Sequence, residues 1–221
     1  MQAPAQIAAV VFDMDGVLVD TEHLWDAVRE ELTAEWGGRY TPEAQRAMMG
    51  MSSHEWSRYL HEVVGLREPP DVINGEVVRR MLARYEVDLP VVPGAVQAVR
   101  GLAEAGFRLA LASSSNRELI DTVLRELGLT ELFEVTVSSE EVARGKPAPD
   151  VYLEAAERLG LDPARCVAVE DSASGIRSAH AAGMRVIAYP NRHYPPMDDA
   201  LALADTAVTS VAEVGRAVAR A

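Results

Sequence analysis

Four short motifs in the sequence carry acidic, hydroxyl or basic side chains that could act together on an anion and a metal ion. In chain order their candidate residues are Asp13 and Asp15, Ser113 and Ser114, Lys146, and Glu170 and Asp171. Carboxylates can serve as a nucleophile, as a general acid and base, and as ligands of a hard divalent cation. Hydroxyls and backbone N–H groups at a helix start can bind an anion, and a lysine can add a positive charge there.

Each motif taken alone also has an ordinary structural interpretation. Asp and Gly are common in turns, and the polar residues of Ser113–Asn116 could simply cap a helix. Lys146 could be a solvated surface residue, and Asp171 could cap the next helix. A calcium loop is a further option for the first motif, but Leu18 stands where that loop needs its glycine. The functional interpretation therefore depends on all four motifs occurring together.

Alternating strand and helix patterns indicate how these motifs would be positioned. Short apolar runs predict strands at Ile7–Phe12, Arg108–Ala112, Val135–Val137, Cys166–Val169, Val186–Tyr189 and Ala207–Thr209. Helical spacing of apolar residues predicts helices at Ala95–Ala105, Arg117–Leu127, Asp150–Leu159 and Ser174–Ala182. This alternation predicts an α/β fold with a Rossmann-like, three-layer core around a parallel sheet. The motifs follow predicted strands, where open parallel sheets bind ligands.

One long segment departs from this alternation. From about residue 21 to residue 87 the sequence shows helical patterns and no convincing strand. The run LPVVPG at 89–94 is rich in residues that break helices and could form a return hinge. We therefore expect a catalytic core made of residues 1–20 and 88–221, with an all-helical cap domain at 21–87 inserted after the first strand.

Composition limits the classes of partner. The chain has 221 residues, 48% of them hydrophobic, and a formal net charge of −13. It can bury a core, whereas its negative charge argues against nucleic acid and anionic membrane surfaces as partners. No apolar stretch approaches the roughly 20 residues that span a bilayer, and the N-terminus lacks the basic region of a signal peptide. The single cysteine, Cys166, excludes an internal disulfide framework, and we expect a cytoplasmic location. We also expect a monomer, because no long apolar stripe is left over once the core and the insert are assigned.

The motifs resemble those of the haloacid-dehalogenase-like hydrolase superfamily. The resemblance rests on FDMDGVLVDTE, LALASSS, GKPAPD and VAVEDSASGI, whose order and spacing match the superfamily over essentially the whole chain. The helical insert resembles the small mobile cap of that superfamily. Within it, the sequence is most similar to the β-phosphoglucomutase-like group of sugar-phosphate phosphatases and mutases.

This resemblance implies a role for each motif. Asp13 would attack phosphorus to form an aspartyl-phosphate, and Asp15 would act as general acid and then as general base. The cofactor implied is Mg²⁺, and its ligands would be Asp13, the backbone carbonyl of Asp15, Asp171 and, directly or through water, Glu170. The groups implied to hold the phosphoryl oxygens are Ser113, the backbone N–H of Ser114, and Lys146.

The subclass depends on residues of the insert. β-Phosphoglucomutases place a histidine five residues after the position equivalent to Asp20, where this chain has Trp25. They also carry a lysine and an arginine around the glycine equivalent to Gly50, where Met49 and Ser53 stand here. The insert is therefore expected to lack the cations that bind a second phosphate. This favours a phosphatase acting on a small phosphorylated metabolite such as a sugar phosphate, with a phosphomutase as the alternative.

Two further expectations concern specificity and a non-enzymatic alternative. The candidate specificity residues of the insert are Trp25, Met49, Ser53 and His54, and helix packing is the alternative for each. His193 and Tyr194 could line the entrance to the site. A receiver-like module phosphorylated on aspartate is a third possible function, but such modules are shorter and lack a helical insert after the first strand.

Overall fold

The computed structural model describes residues 6–191 and 194–220, which form a six-stranded parallel sheet with helices on both faces. The strand order is β3-β2-β1-β4-β5-β6. The strands are β1 Ala9–Phe12, β2 Arg108–Ser113, β3 Val135–Ser138, β4 Cys166–Glu170, β5 Arg185–Ala188 and β6 Thr206–Ala207. Because β1 lies between β2 and β4, the residues after it occupy the middle of the sheet edge.

The helices divide into those of the insert and those of the sheet layers. The insert contains α1 Glu22–Trp36, α2 Pro42–Met48, α3 Ser53–Tyr59 and α4 Pro70–Val87, with a π-helical turn at Leu60–Val64 after α3. The remaining helices are α5 Ala95–Glu104, α6 Arg117–Glu126, α7 Asp150–Leu159, α8 Ala173–Ala181, α9 Asp198–Leu201 and α10 Val214–Val218. Alternation of strand and crossover helix therefore follows β2, as the sequence predicts.

Side chains of β1 alternate between two buried layers. Val10 and Phe12 join an apolar cluster on one face, whereas Ala9 and Val11 join the cluster on the other. All four are fully buried, which explains why this strand has apolar residues at every position. The three-layer α/β fold is confirmed.

All six strands differ from their predicted bounds by one or two residues at one end or at both, and the first and last strands differ most. The first strand begins at Ala9 instead of Ile7, and the last strand is Thr206–Ala207 instead of Ala207–Thr209. The last strand is short because the chain turns soon after it, where the Ser210 side chain accepts the backbone N–H of Ala212. Both residues of this edge strand are exposed, so burial gives little pattern to predict it.

The insert consists of helices, bends and turns, with no strand anywhere in residues 21–87, all of which the structure describes. Its apolar residues, including Leu32 and Ile73, belong to the same buried cluster as Phe12 of the sheet. The division into a core at 1–20 and 88–221 and a cap domain at 21–87 stays a prediction. Among the described residues, no helix combines the length and apolar composition needed to cross a membrane.

Candidate active site

The carboxyl ends of neighbouring strands bring acidic motifs to one edge of the sheet. Asp13 directly follows β1, and its backbone N–H donates to the carbonyl of Val169 on β4 at 3.0 Å. Glu170 is the last residue of β4, and Asp171 follows it. Because β1 and β4 are adjacent and parallel, these carboxylates converge on one region, as expected for an open parallel sheet.

Lys146 is the centre of a buried charge cluster. Its Nζ donates to Glu170 Oε1 at 2.7 Å and to the carbonyl of Ala112 at 3.1 Å, and lies 3.0 Å from Asp13 Oδ1. The hydroxyl of Tyr152 donates to the same Glu170 oxygen at 2.7 Å. The side chain of Lys146 is only 2% exposed, so this single cation faces two carboxylates away from solvent.

Burial and crowding of charge shift the pKa values of this cluster. Burial, followed by the charge of Glu170, raises the pKa of Asp13 to about 8. The pKa of Asp171 is also raised by burial and by the nearby charges of Glu170 and Asp13. Burial by itself would lower the pKa of Lys146, but attraction to Asp13 and Glu170 outweighs it, and the pKa is raised. The cluster thus has an excess of negative charge that an added cation would offset.

Three of these carboxylates have the spacing of a metal site. Oxygens of Asp13, Glu170 and Asp171 all lie within 4.8 Å of one another. Gly16 closely approaches them with φ +81°, and a Cβ there would lie 1.8 Å from Asp171 Oδ2. The Asn191 amide donates to this same oxygen at 2.8 Å. Carboxylate oxygens at this spacing fit Mg²⁺, which needs few protein ligands because it keeps several waters.

Asp15 has a different environment from the three clustered carboxylates. Ser115 Oγ donates to its Oδ2 at 2.6 Å, while the Thr21 hydroxyl donates to Oδ1. The indole N–H of Trp25 also donates to Oδ1, at 3.2 Å. These three donors hold the Asp15 carboxylate beside the metal-type cluster, in a position suited to proton transfer.

The serine motif divides into a buried residue and residues that face the cavity. Ser113 is fully buried, and its Oγ accepts the Ser115 N–H at 3.1 Å. Ser114 and Ser115 border the cavity, whereas Ser113 does not. Ser114 Oγ also donates to the carbonyl of Gly50 at 3.0 Å, which links the sheet edge to the insert. The phosphate contacts expected of Ser113 and of the Ser114 N–H stay predictions.

A cavity lies between the sheet edge and the insert. The sheet side supplies Asp13, Asp15, Ser114, Ser115, Lys146, Asp171 and Ser172. The insert supplies Glu22, Trp25, Arg29, Met48, Met49, Gly50, Met51 and Trp56. The cavity therefore has a charged and hydroxyl-rich wall facing a wall dominated by aromatic and methionine side chains.

The aromatic wall also contains two ionisable groups. The rings of Trp25 and Trp56 lie 5.9 Å apart at 64°, and the Arg29 guanidinium carbon is 4.8 Å and 5.0 Å from their centres. Glu22 borders the same space, and burial, followed by the charge of Asp15, raises its pKa to about 7. This wall can thus offer both a fixed cation and a carboxyl that is half protonated near neutral pH.

The predicted specificity residues lie in different places. Trp25 and Met49 border the cavity. Ser53 is fully buried away from it, and its Oγ donates to Glu140 Oε1 at 3.0 Å. His54 is exposed at the start of α3 and does not border the cavity either. The beginning of α3 therefore packs towards the loop after β3, which turns these two side chains away from the substrate space.

Arg29 and Glu22 were missed by the sequence analysis. The inference that the insert is short of cations near the site was wrong, because Arg29 borders the cavity. Trp25 was the available signal, since residues three before it and four after it share its helical face. Charged residues on a helix usually face solvent, so Glu22 and Arg29 drew no attention.

The loop after β5 reaches the insert near this cavity. The hydroxyl of Tyr194 accepts a hydrogen bond from the side-chain amide of Gln45 on α2. Tyr194 therefore joins two parts of the chain that surround the site, although it does not itself border the cavity. His193, which was expected beside it at the entrance, lies outside the described residues.

A family model for haloacid dehalogenase-like hydrolases matches residues 7–183, a range that includes all four motifs. The chain belongs to this hydrolase family. Hexitol phosphatase B of Escherichia coli K12, a relative, is 33% identical over 219 residues, which cover 97% of each chain. The phosphorylated carbohydrates phosphatase of Thermotoga maritima is 34% identical over 180 residues, which cover 81% of this chain and 83% of that one.

Solved structures of the hydrolase family extend this similarity to the fold. The crystal structure of CbbY from Rhodobacter sphaeroides in complex with phosphate has a TM-score of 0.81 and 30% sequence identity. The match covers 95% of this chain and 97% of that one. Together with the curated relatives, it places the chain among the phosphatases of the haloacid dehalogenase-like hydrolases.

Proposed function

We propose that the protein is a Mg²⁺-dependent phosphatase that hydrolyses a small phosphorylated metabolite, such as a sugar phosphate, through an aspartyl-phosphate on Asp13. The observation that carries this proposal is the meeting of Asp13, Asp15 and Lys146 at one cavity. A nucleophile, a proton carrier and a fixed cation are the parts that phosphoryl transfer requires. The sugar-phosphate class is supported by the similarity of the chain to a hexitol phosphatase and to a phosphorylated carbohydrates phosphatase.

Asp13 is the proposed nucleophile because only one of its oxygens is engaged. Oδ1 lies 3.0 Å from Lys146 Nζ, while no described residue hydrogen-bonds to Oδ2. Attack by Oδ2 on phosphorus would form the Asp13–phosphorus bond as the bond to the leaving oxygen breaks. Lys146 orients the carboxylate and offsets repulsion between it and the incoming phosphate.

Asp15 is the proposed general acid and base. In the first step its carboxyl would give a proton to the leaving oxygen, so that the product departs as an alcohol. In the second step the ionised carboxylate would take a proton from water as that water attacks phosphorus and the Asp13–phosphorus bond breaks. The hydrogen bonds from Ser115, Thr21 and Trp25 hold the carboxylate in one orientation for both transfers.

The proposed residues for Mg²⁺ are Asp13, Asp171, Glu170 and the backbone carbonyl of Asp15. When bound there, Mg²⁺ supplies positive charge that stabilises the phosphoryl oxygens during transfer. The chain prepares this site by crowding three carboxylates within 4.8 Å while Lys146 offsets only part of their charge. Asn191 keeps one oxygen of Asp171 in place with a 2.8 Å hydrogen bond.

The insert is proposed to act as a cap that covers the leaving group. Its helices supply the aromatic and methionine wall of the cavity, and Gly50 and Ser53 already hydrogen-bond to the sheet side. Exclusion of water by such a wall strengthens the electrostatic interactions around the phosphoryl group. The wall would also select among leaving groups by shape.

The first test is release of p-nitrophenol from p-nitrophenyl phosphate by the purified chain with Mg²⁺. We expect turnover that is abolished by EDTA and restored by Mg²⁺, and a loss of about 10⁴-fold or more in Asp13→Asn. Asp88→Asn is the matched control because Asp88 is an exposed carboxylate at the end of α4. Full activity in EDTA would contradict the metal assignment, and full activity in Asp13→Asn would contradict the nucleophile.

A panel of phosphorylated metabolites compared by kcat/KM then separates a phosphatase from a phosphomutase. We expect release of inorganic phosphate from monophosphates without a bisphosphate activator. Interconversion of hexose 1- and 6-phosphates after addition of a bisphosphate, with little phosphate released, would overturn the phosphatase proposal.

A further inference from the structure

Arg29 is a buried cation that borders the cavity, and its guanidinium donates a hydrogen bond to none of the residues that the structure describes. The residue is 7% exposed, and its Nε is fully buried with no partner in the described parts of the chain. No described carboxylate forms an ion pair with its guanidinium. Arg80 and Arg84, elsewhere on the insert, instead pair with Glu35 and Glu31. Within the described residues, the insert therefore pairs several arginines with its own carboxylates, whereas the buried Arg29 has no ion pair.

The acidic residues around Arg29 do not provide the missing partner. The Asp26 carboxylate accepts the Tyr40 hydroxyl at 2.7 Å, and Glu22 interacts with Arg29 only through longer-range attraction. A buried charge without a partner costs free energy because it loses its hydration. A ligand that supplied acceptor oxygens at the cavity would recover part of that cost.

The neighbouring rings determine which part of the guanidinium a ligand can reach. Trp25 and Trp56 lie 4.8 Å and 5.0 Å from its central carbon and are themselves packed edge to face. Because the rings lie against the guanidinium and its Nε is fully buried, a ligand in the cavity would reach the edge formed by the two terminal NH₂ groups. Such an edge binds two oxygens of one carboxylate or phosphate.

The location of Arg29 points to the leaving group of the substrate. Trp25 packs against the guanidinium and also donates its indole N–H to Asp15 at 3.2 Å. Asp15 is the proposed proton donor to the leaving oxygen, so that oxygen would lie beside the Asp15 carboxyl. The indole ring of Trp25 separates Asp15 from Arg29. A leaving group of the size of a sugar would extend from Asp15 towards Arg29.

We propose that Arg29 binds a second anionic group, a carboxylate or a phosphate, at the far end of the substrate's leaving group. The inference rests on the proposed phosphatase function and narrows its substrate class to metabolites that carry one anion besides the phosphate to be removed. Arg29 is thus a specificity residue that binds the far end of the substrate, while Lys146 serves the reacting phosphate.

The test compares three substrates of similar length with the wild-type protein and Mg²⁺. They are a hexitol monophosphate with a neutral far end, an aldonic acid monophosphate with a far carboxylate, and a hexitol bisphosphate. We expect kcat/KM to be about 10- to 100-fold higher for at least one anionic substrate, because a hydrogen bond to a charged group strengthens binding by about that factor. Comparison of the aldonic acid monophosphate with the hexitol bisphosphate shows whether Arg29 prefers a carboxylate or a second phosphate.

Substitutions of Arg29 then test whether the preference for anionic substrates depends on this residue. In Arg29→Met we expect the preference to fall by at least about tenfold, mainly through a higher KM for the anionic substrate. Arg29→Lys keeps the positive charge but not the planar guanidinium that binds two oxygens, and it should retain part of the preference for anionic substrates. Arg58→Met is the matched control because it removes an exposed arginine from α3, the helix that carries Trp56, and it should leave the preference unchanged.

The outcomes separate this inference from the proposed function. Equal kcat/KM for neutral and anionic substrates in the wild type would overturn the role of Arg29, whether or not Arg29→Met folds. An equal loss for all three substrates in both Arg29 variants would also overturn it, since that result indicates a structural role. Absence of turnover on these substrates and on p-nitrophenyl phosphate would instead overturn the phosphatase proposal.

Discussion

The two walls of the cavity differ in how their charged groups are paired. On the sheet side, Lys146 contacts Asp13, Glu170 and a backbone carbonyl, and the Asp15 carboxylate accepts three hydrogen bonds. On the insert side, Arg29 packs on two indole rings and donates a hydrogen bond to no described residue. The sheet side is organised before substrate binds, whereas the insert side leaves hydrogen-bonding capacity for a ligand.

This difference suggests a division of tasks. Chemistry on the phosphoryl group needs fixed geometry, which the hydrogen bonds and ion pairs of the sheet side provide before substrate binds. Recognition of the leaving group needs groups whose hydrogen bonds are completed only by the correct substrate. The predictions below test whether removal of each group affects chemistry, folding or metal binding as this division requires.

Among the tests of this division, the largest effect is expected from Asp15→Asn, which removes the proposed proton donor. We expect kcat/KM, which reports transfer of the phosphoryl group to Asp13 and not the later hydrolysis, to fall by about 10²–10⁴-fold for an alkyl phosphate, because an alkoxide is a poor leaving group without a proton. The fall should be smaller for p-nitrophenyl phosphate, since p-nitrophenolate is stable without one. Steady-state assays on both substrates check this, and equal losses for the two would contradict the acid role of Asp15.

Lys146→Met tests, through the free energy of unfolding, how much the buried ion pairs of the sheet side contribute to stability. Removal of the cation leaves Asp13 and Glu170 buried together, so we expect the metal-free protein to lose about 3–5 kcal/mol of unfolding free energy. Urea unfolding followed by circular dichroism measures it. Arg144→Met is the matched control, because Arg144 is 68% exposed and its pair with Asp150 should contribute at most about 1 kcal/mol. Similar losses in both variants would contradict the buried cluster.

Mg²⁺ binding should depend on pH through the same cluster. The pKa of Asp13 is about 8 in the metal-free fold against 3.8 for the ordinary group, so the fold holds a proton that the unfolded chain has lost. This contribution to stability is therefore complete below about pH 4 and is lost as the pH rises through about 8. Because Mg²⁺ must displace the proton on Asp13, the stabilisation of the fold by Mg²⁺ should grow as the pH rises from about 4 to about 8.

Thermal unfolding with and without Mg²⁺ at about pH 6 and about pH 8.5 measures this dependence. We expect the increase in Tm caused by Mg²⁺ to be larger by at least about 3 °C at the higher pH. Asp171→Asn should lose most of the increase at both values. An equal or larger increase at the lower pH would contradict competition between the proton and the metal.

The smallest effect is expected from Ser53→Ala on the insert. Loss of the 3.0 Å hydrogen bond to Glu140 should cost about 1 kcal/mol of stability, because Glu140 also accepts from Asn116 at 2.7 Å and keeps that partner. The relative kcat/KM values for neutral and anionic substrates should stay the same. A changed preference would place Ser53 among the specificity residues after all and blur the distinction between the two walls.

The sequence predicted the sheet side better than the insert side for a physical reason. Asp13, Glu170 and Asp171 end or follow buried strands, and parallel pairing brings strand ends together whatever the loops do. Within the serine motif, the end of a strand does not show which hydroxyl faces the cavity, because a shift of one residue exchanges a buried side chain for one that borders it. Ser114 and Ser115 border the cavity, Ser113 does not, and the phosphate contact expected of Ser113 stays a prediction.

Residues of the insert could not be placed in the same way. A helical pattern indicates which face is buried, but it does not indicate whether that face packs on the sheet, on another helix or around a cavity. Ser53 and His54 follow the Ser52 cap of α3, and packing of that helix directs them away from the substrate space. Arg29 on α1 is the opposite case, a charged residue that packing turns inward.

The most direct test of the account is to trap the intermediate on Asp13. The protein is mixed with excess substrate and Mg²⁺, quenched in acid and treated with borohydride, which reduces an acyl phosphate to the alcohol. We predict that peptide mass spectrometry finds homoserine at position 13, only when substrate and Mg²⁺ are both present, and unmodified aspartate at position 15. Reduction at position 15, or at neither position during active turnover, would contradict the account.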